Sequence, residues 1–490
     1  MRHYVRCGCQ PLSQFRKQIF DLLHLYNRAD STMDLIDALS SACGVRSVVE
    51  LSLQPAFRHR NYSGLFKAIR DFPLSDAHLR VPFACHLPLP QQRLFRLLAV
   101  DTLPHPRPFA DCLQDRGYIY QPHPTPGGKP VAVGHTYSLL AFLPEPESAS
   151  SPPWAVFLDA RRVATDQNAA EVAQEQIAQW VETQERAERP VSARQTLAAA
   201  DSRYCTPPFI YPLAQRGISV LVRVRSNRVF FRPPPEAEGT ARGHPRWYGE
   251  RFALNDPITW PPPEEEETWE ETTRQGKTRV VHLQAWRGMR MRGNRQWPMH
   301  RCPCTLIRVW VTTPEGEMVY PRPLWLALFG PGQEEWPLRE VVRAYFQRSH
   351  QEHGHRFLKR NLLATAYQTP EVRNEERWWR IVLVAAFQIG LGRELAQALP
   401  RPWERYLHRR QEGGESPKGG ARQASPLLSP AYVQRDMGRI LQELGTPARR
   451  LQPRGKPVGR REGTRLTPRA RQRIVRKGAF QGSGAASRPD

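Results

Sequence analysis

The order of apolar runs between residues 93 and 226 limits the fold of this chain most. RLFRLLAVDTLP, GYIYQPH, HTYSLLAFLP and WAVFLDARRV are typical of strands, and Pro and Gly turns separate them. An amphipathic helix follows at residues 165–187, then the apolar run TLAAAD, a short helical piece and the strand ISVLVRVRS. Strands that alternate with helices in this way predict a mixed α/β sheet with flanking helices.

The charge balance of the chain points to a polyanionic partner. The 490 residues carry a formal net charge of +24, and residues 449–477 hold twelve Lys or Arg and one Glu, which is +11 of that total. Cations that face phosphates release condensed counterions, so nucleic acid and anionic membrane are both candidates. No apolar run is long enough for a transmembrane helix, and MRHYVRCGCQ lacks the apolar core of a signal peptide. We therefore expect a cytoplasmic protein with a nucleic-acid partner and no membrane.

The remaining segments predict five parts. Residues 12–80 have apolar positions at helical spacing, which fits either a DNA-binding module or a bundle that only packs on its neighbour. Helices return at about 337–364 and at 375–399, and the second is apolar nearly all round, hence buried. We expect an N-terminal helical, DNA-end-binding domain (1–85), the first part of the α/β core (90–227), a β-rich insertion (228–330), a helical part of the core (331–410) and a basic, largely disordered tail (411–490).

Two C-x-C pairs raise the question of zinc. Cys7/Cys9 and Cys302/Cys304 are spaced more closely than the cysteines of structural zinc sites, and no His pair follows either of them. We interpret all four as free thiols.

One lone acid stands in the basic stretch YFQRSHQEHGHRFLKR, residues 345–360. At about 100° per residue, a helix places one acid, three cations and a phenol on one face: Tyr345, Arg348, Glu352, Arg356 and Lys359. A solvated face with ion pairs is the simpler interpretation, but such a face usually carries more acids. The order His350, Glu352, His353, His355 does not match H-E-x-x-H, and this spacing argues against zinc here. A Mg²⁺ site remains, and it needs further carboxylates.

Two aspartates are placed to supply them. Asp101 ends the apolar run LFRLLAV before a Pro-rich break, and Asp201 ends TLAAA before SRYCTPP. An acid directly after an apolar strand stands where α/β sheets commonly build active sites. Each alone could simply cap a turn, as Asp159 in AVFLDARRV illustrates. The combination with Glu352 is what predicts a metal site.

With these residues in place, the chain resembles the DDE transposases of bacterial insertion sequences that carry the Y-R-E-K signature. Tyr345, Arg348, Glu352 and Lys359 match all four positions of that signature at its spacing. AVDTLPHPRP is similar to the segment of the family's first aspartate, AADSRY to that of the second, and VLVRVRSNRVFF to the strand that leads into the family's β insertion.

The resemblance implies an RNase H-like core in which Asp101, Asp201 and Glu352 hold two Mg²⁺ ions, with Mn²⁺ as a substitute. These ions would activate water and then a DNA 3′-hydroxyl. Tyr345, Arg348 and Lys359 would contact phosphates near the transposon end, together with Arg356 on the same face. The partners implied are double-stranded DNA at transposon ends and target, and a second copy of the chain in a nucleoid-associated homodimer.

The basic tail extends this expectation. Its motif GKPVGRREGTR, with Arg460, Arg461 and Arg465, is similar to basic arms that enter the minor groove, although attraction to phosphates accounts for it equally well.

One departure from the family pattern leaves alternatives open. Arg203 stands where the second-aspartate segment usually has Gly, which could restrict the turn after Asp201. A transposase is the main hypothesis. A nuclease of the same fold that cuts without joining, and a catalytically inactive DNA-binding relic, are the alternatives.

Overall fold

The structure is a computed structural model that describes residues 10–60, 62–120, 130–187, 190–235, 246–399, 428–449, 463 and 468–476. Cys7, Cys9, Arg460, Arg461 and Arg465 lie outside these residues, so the expectations about them stay predictions.

A ten-stranded mixed sheet forms the centre of the protein, in the order β2-β3-β1-β5-β6-β12-β11-β10-β9 with β4 on β3. The strands β1, β5 and β6 are parallel, and the other pairs are antiparallel. Their bounds are β1 Arg96–Pro106, β2 Gly117–Tyr120, β3 Val131–Phe142, β4 Val156–Val163, β5 Thr196–Ala200 and β6 Ser219–Val224. The predicted RNase H-like mixed α/β sheet is thereby confirmed.

The segment between β6 and the C-terminal helices is rich in strands, as its alternation predicted. It contains β7 Val229–Phe231, β8 Arg251–Ala253, β9 Glu265–Thr272, β10 Thr278–Met289, β11 Cys304–Thr312 and β12 Leu324–Phe329. β7 and β8 form a separate two-stranded sheet. β12 pairs with β6 of the central sheet, and β11, β10 and β9 follow in that order toward the sheet edge. Four strands of the segment thus continue the central sheet.

Helices cover this sheet and form a further layer beyond it. The N-terminal helices are α1 Gln10–His24, α2 Ala29–Ser41, α3 Tyr62–Arg70 and α4 Asp76–His86; within the core come α5 Ala169–Glu185 and α6 Pro207–Gln215. The C-terminal helices are α7 Gly332–Glu335, α8 Leu338–Gln347, α9 Ser349–Arg360, α10 Val372–Leu391 and α11 Arg393–Ala398. The long α10 packs on β4 and on the N-terminal helices, which explains its apolar circumference. None of the described helices is long and apolar enough to cross a membrane.

A buried charge cluster joins α10 to β1 and β3. Glu375 is fully buried, pairs with the buried Arg107, and accepts hydrogen bonds from His135 Nδ1 at 2.7 Å and Tyr137 Oη at 2.8 Å. Burial would raise the pKa of Glu375, but the His135 bond and the neighbouring positive charge lower it to about 2. Burial lowers the pKa of His105, 3.4 Å away, to about 4, so that imidazole is neutral at pH 7.

One segment of the predicted tail is helical. Residues 430–444 form a helix, α12 Pro430–Leu444, that packs on α2, α10 and α11. Val433, Met437 and Ile440 are buried at helical spacing, so they stabilise the helix by removing apolar surface from water. The surrounding Gly, Ser, Pro and Arg composition concealed this short amphipathic pattern.

Candidate active site

The two aspartates lie side by side on parallel strands. Val100 of β1 is paired with Ala200 of β5, and Asp101 and Asp201 are the next residues along the two strands. Asp201 follows its strand directly, as predicted. The prediction that Asp101 ends a strand was wrong, because β1 continues to Pro106 by pairing with β3, in which Leu139 is opposite Asp101. Asp101 therefore stands where β1 runs beyond the end of β5.

The electrostatic surroundings of Asp101 include both Asp201 and Arg348. Burial raises the pKa of Asp101, the charge of Asp201 raises it further, and Arg348 acts in the opposite direction. Arg348 Nη1 lies 3.5 Å from Asp101 Oδ2, and Arg348 Nη2 lies 3.7 Å from Glu352 Oε1. One guanidinium thus connects the first aspartate to the glutamate.

The helix that carries Glu352 is fixed to the sheet by its neighbours. The single helix expected at about 337–364 is two helices, α8 and α9, that meet at Arg348. Gln351 is buried and donates from Nε2 to the carbonyl oxygen of Leu139 at 3.1 Å, opposite Asp101. Gly354 packs on Phe157 of β4 so closely that an added Cβ would lie 2.7 Å from the ring. These two residues hold α9 against the sheet, and the sequence reading singled out neither.

The other residues of the basic face are distributed over both helices. Tyr345 is nearly buried, and the guanidinium of Arg348 lies over its ring, 5.8 Å from the centroid. Arg356 and Lys359 are exposed on later turns of α9. The structure thus brings Arg348 into contact with the acids, whereas Arg356 and Lys359 present their charges to solvent.

Two of the three histidines of this stretch, His350 and His355, are partly or fully enclosed by the protein. His355 stacks on Phe157 with ring centroids 5.6 Å apart, and burial lowers its pKa to about 3. Burial, with the nearby His353 and Arg93, lowers the pKa of His350 to about 4. Both are neutral packing residues at pH 7. Among the described residues, no three His, Cys, Asp or Glu side chains are grouped as a metal-binding cluster.

The cysteines and Asp159 lie elsewhere. Burial raises the pKa of Cys302 to about 12 and also raises that of Cys304 well above its ordinary value, which fits inert free thiols. Asp159 is buried beside Arg161 at 2.9 Å on β4. It takes no part in the site.

Arg203 does not strain the turn after Asp201. The described non-glycine residues with positive φ are Arg28, Asp115 and Leu363, so position 203 has no need of glycine. The Arg203 N–H donates to Asp201 Oδ1 at 2.8 Å, which closes an Asx turn. Its guanidinium lies 5.9 Å from the ring centre of Tyr120 on β2. The departure from the family pattern adds a cation beside the aspartates without a backbone penalty.

A basic cavity of about 500 Å³ opens next to the second aspartate. Ser202, which follows Asp201, lines it together with four arginines and two tryptophans: Arg223, Arg225, Arg308, Arg322, Trp260 and Trp325. Arg308 lies over Trp260, 5.2 Å from the ring centroid. Guanidinium groups bind phosphates, and indole rings offer flat apolar surface. Arginines at alternate positions in VLVRVR were the signal for this surface, which sequence reasoning missed.

The donor set fits a hard divalent cation. Two neighbouring carboxylates supply the oxygen ligands that such ions prefer. Tyr204 Oη, buried near both aspartates, has no hydrogen-bond partner within the described part of the chain. Glu352, whose side chain is 56% exposed, instead faces Arg348.

The comparisons with known proteins agree with this geometry. The family model of the DDE superfamily endonuclease matches residues 18–289, more than half of the chain. This span contains Asp101 and Asp201 and ends before Glu352 and the basic stretch around it. A search of curated proteins finds no significant match. On the strength of the family match, with paired aspartates on adjacent parallel strands, the chain belongs to the DDE superfamily endonucleases.

Proposed function

We propose that the protein is a DNA transposase that cuts at transposon ends and transfers the cut strand into target DNA with the help of Mg²⁺ ions. The observation that carries the proposal is the position of Arg348, which contacts both Asp101 and Glu352 beside Asp201. It supports the proposal because one phosphate-binding cation links two of the three acids proposed for a DDE site. The Y-R-E-K spacing at residues 345–359 supports the transposase branch of the family.

In this proposal the three acids hold the ions, with Mn²⁺ as a possible substitute. Glu352 must turn from Arg348 toward the aspartates, and the half-exposed contact it gives up is worth less than about 1 kcal/mol. Arg348, released from the acids, is then available for a phosphate oxygen. The ions would supply charge stabilisation for the attacking and leaving oxygens.

The surrounding cations would hold the substrate. Arg356 and Lys359, exposed on α9, and Tyr345, beside Arg348 on α8, would contact the DNA near the cut, and the basic cavity beside Asp201 would take up a phosphate-bearing segment. We assign duplex DNA as the partner and expect two copies of the chain to pair two ends. The N-terminal helices and the tail arginines Arg460, Arg461 and Arg465 are further candidates for DNA contact.

The test replaces Glu352 by Gln. We expect metal-dependent nicking of a plasmid that carries the gene with its native flanks to be abolished, while the Kd for that DNA changes less than about threefold, because a metal ligand is lost and no phosphate contact is removed. Glu340 on α8 is a partly exposed acid that pairs with Arg343, and Glu340→Gln is the matched control, which should keep activity.

The outcomes separate the hypotheses. Cleavage by Glu352→Gln at the wild-type rate refutes the assignment of the third acid. Nicked DNA without joined products indicates a nuclease of the same fold. A wild-type chain that binds the DNA but never cuts it indicates an inactive relic.

A further inference from the structure

The segment of residues 468–476, here called the C-terminal strap, is docked on the catalytic core. The Val475 N–H donates to the Arg116 carbonyl oxygen at 2.9 Å, and the Gln472 N–H donates to the Asp111 carbonyl oxygen at 2.7 Å. Arg116, itself 6% exposed, donates from Nη2 to the Gln472 carbonyl oxygen at 3.3 Å. Two backbone bonds in which the strap donates, and one side-chain bond in which it accepts, fix the strap in one register.

Two further contacts secure its first half. Arg469 Nη2 lies 2.7 Å from Glu371 Oε1 before α10, and Cys112 Sγ donates to the Arg469 carbonyl oxygen at 3.5 Å. Gly117 makes the close approach possible, because a Cβ there would lie 3.3 Å from the Val475 carbonyl oxygen and 3.0 Å from Thr165. The exposed ion pair contributes little, so backbone bonds and Arg116 carry most of the docking.

The strap lies at the end of the sheet where β1, the strand of Asp101, has its carboxyl end. Val475 bridges Gly117 of β2 in parallel. Gly117 pairs with Gly134 of β3, and Gly134 pairs with Pro106 at the carboxyl end of β1. The other end of β2, about 10 Å further on at 3.3 Å per residue, is Tyr120, which contacts Arg203 beside Asp201. The strap therefore lies toward the same end of the sheet as the candidate active site.

Its outer side presents concentrated positive charge. Arg471, Arg473 and Arg476 are exposed, and none of them forms an ion pair with any described residue. The inward positions, Gln472 and Val475, are the two that donate backbone hydrogen bonds. Docking thus separates the strap into an anchoring side and a cationic side.

We propose that the C-terminal strap is a DNA-backbone contact, held on the core in advance, in which Arg471, Arg473 and Arg476 bind phosphates of the duplex that reaches the candidate active site. Cations that neutralise phosphates release counterions, and a segment already docked loses less conformational freedom on binding than a free one. The inference rests on the proposed function only for the identity of the partner as duplex DNA.

The first experiment measures affinity for a mixed-sequence duplex of about three helical turns, with EDTA present so that cleavage plays no part. Replacing Arg471, Arg473 and Arg476 by Ser should raise the Kd at least about tenfold at 0.1 M salt. It should also reduce the slope of log K against log salt by up to about 2.7, since each phosphate contact contributes about 0.9. The control replaces three other exposed arginines, Arg186, Arg194 and Arg216, which lie at the opposite end of β5 and β6.

The second experiment keeps the charge and removes the docking. The double variant Gln472→Pro, Val475→Pro lacks both anchoring N–H groups but has the wild-type net charge. Amide exchange of the strap should be slow in the wild-type chain and fast in this variant, and the Kd should rise at least about threefold.

Three results would overturn the proposal. The first is a serine variant that binds like the control variant. The second is fast amide exchange of the strap in the wild-type chain, and the third is an undocked variant with wild-type Kd. The strap is tested by DNA binding and amide exchange without metal, whereas Glu352 is tested by metal-dependent cleavage. The strap proposal can therefore fail independently of the proposed function.

Discussion

Glu375→Gln should destabilise the protein more than any other single change of an acid to its amide on α10. The substitution keeps the shape of the side chain and an oxygen that accepts from Tyr137. It removes the negative charge that balances Arg107, whose side chain is 2% exposed and which cannot lose its proton. A buried guanidinium would then remain without a counterion.

Two lines of reasoning give a similar value for the loss of unfolding free energy in Glu375→Gln. Removing one partner of a buried ion pair typically costs about 3–5 kcal/mol. Independently, the pKa of Glu375 falls from the ordinary 4.5 to about 2 on folding, and at 1.36 kcal/mol per pKa unit this is about 3 kcal/mol in favour of the ionised form. We expect a loss of about 3–4 kcal/mol in the free energy of unfolding at pH 7.

Urea unfolding followed by tryptophan fluorescence measures the effect, because Trp379 packs on Tyr137 with ring centroids 4.8 Å apart. The control is Glu376→Gln, the adjacent acid, which is 30% exposed and pairs with Arg162 at 3.3 Å. That variant should lose less than about 1 kcal/mol. If Glu375→Gln unfolds within 1 kcal/mol of the control, the charge cluster does not stabilise the contact between α10 and the sheet.

Two further changes probe the packing of the site and the pH dependence of stability. Gly354→Ala places a Cβ 2.7 Å from Phe157, whereas Gly390→Ala places one 3.9 Å from Val156. Gly354→Ala should displace α9 and reduce cleavage at least about tenfold, since a misplacement of 1 Å can cost a hundredfold. Gly390→Ala should retain activity. Equal cleavage by the two variants would contradict this. Burial lowers the pKa of His105 from 6.5 to about 4, so only the unfolded state takes up this proton as pH falls between those values, and stability decreases through that window. His105→Gln should reduce the slope of unfolding free energy against pH by about 1.2 kcal/mol per unit near pH 5. An unchanged slope would show that the imidazole is not held neutral.

The sheet and the acids were largely predictable because their signals are local. An apolar run such as TLAAA identifies a buried strand, and the residue after it, Asp201, then falls at the strand end. The end of β1 was harder to predict, because Asp101 is followed by prolines, which usually break strands. Here pairing with β3 extends β1 to Pro106, and a long-range partner of this kind leaves no mark in the local sequence.

The supports of the site were hidden for a different reason. Gln351 and Gly354 act through what they touch, namely the Leu139 carbonyl group and the Phe157 ring, and those contacts join residues about 200 positions apart. Spacing on one helix predicted that Arg348 and Glu352 share a face. It carried no information on the strand that the face meets.

The continuation of β6 by β12 means that the β-rich segment is no detachable module. Removing residues 228–330 would turn β6 into an edge strand with unpaired backbone donors and acceptors. Because Val220, Leu221 and Val222 of β6 are buried apolar residues, such an edge would promote aggregation. The strand that pairs with β6 belongs to the same sheet as the strands of the two aspartates. In this chain the outermost strand, β9, is instead lined with glutamates, so the ten-stranded sheet ends in water on a charged edge.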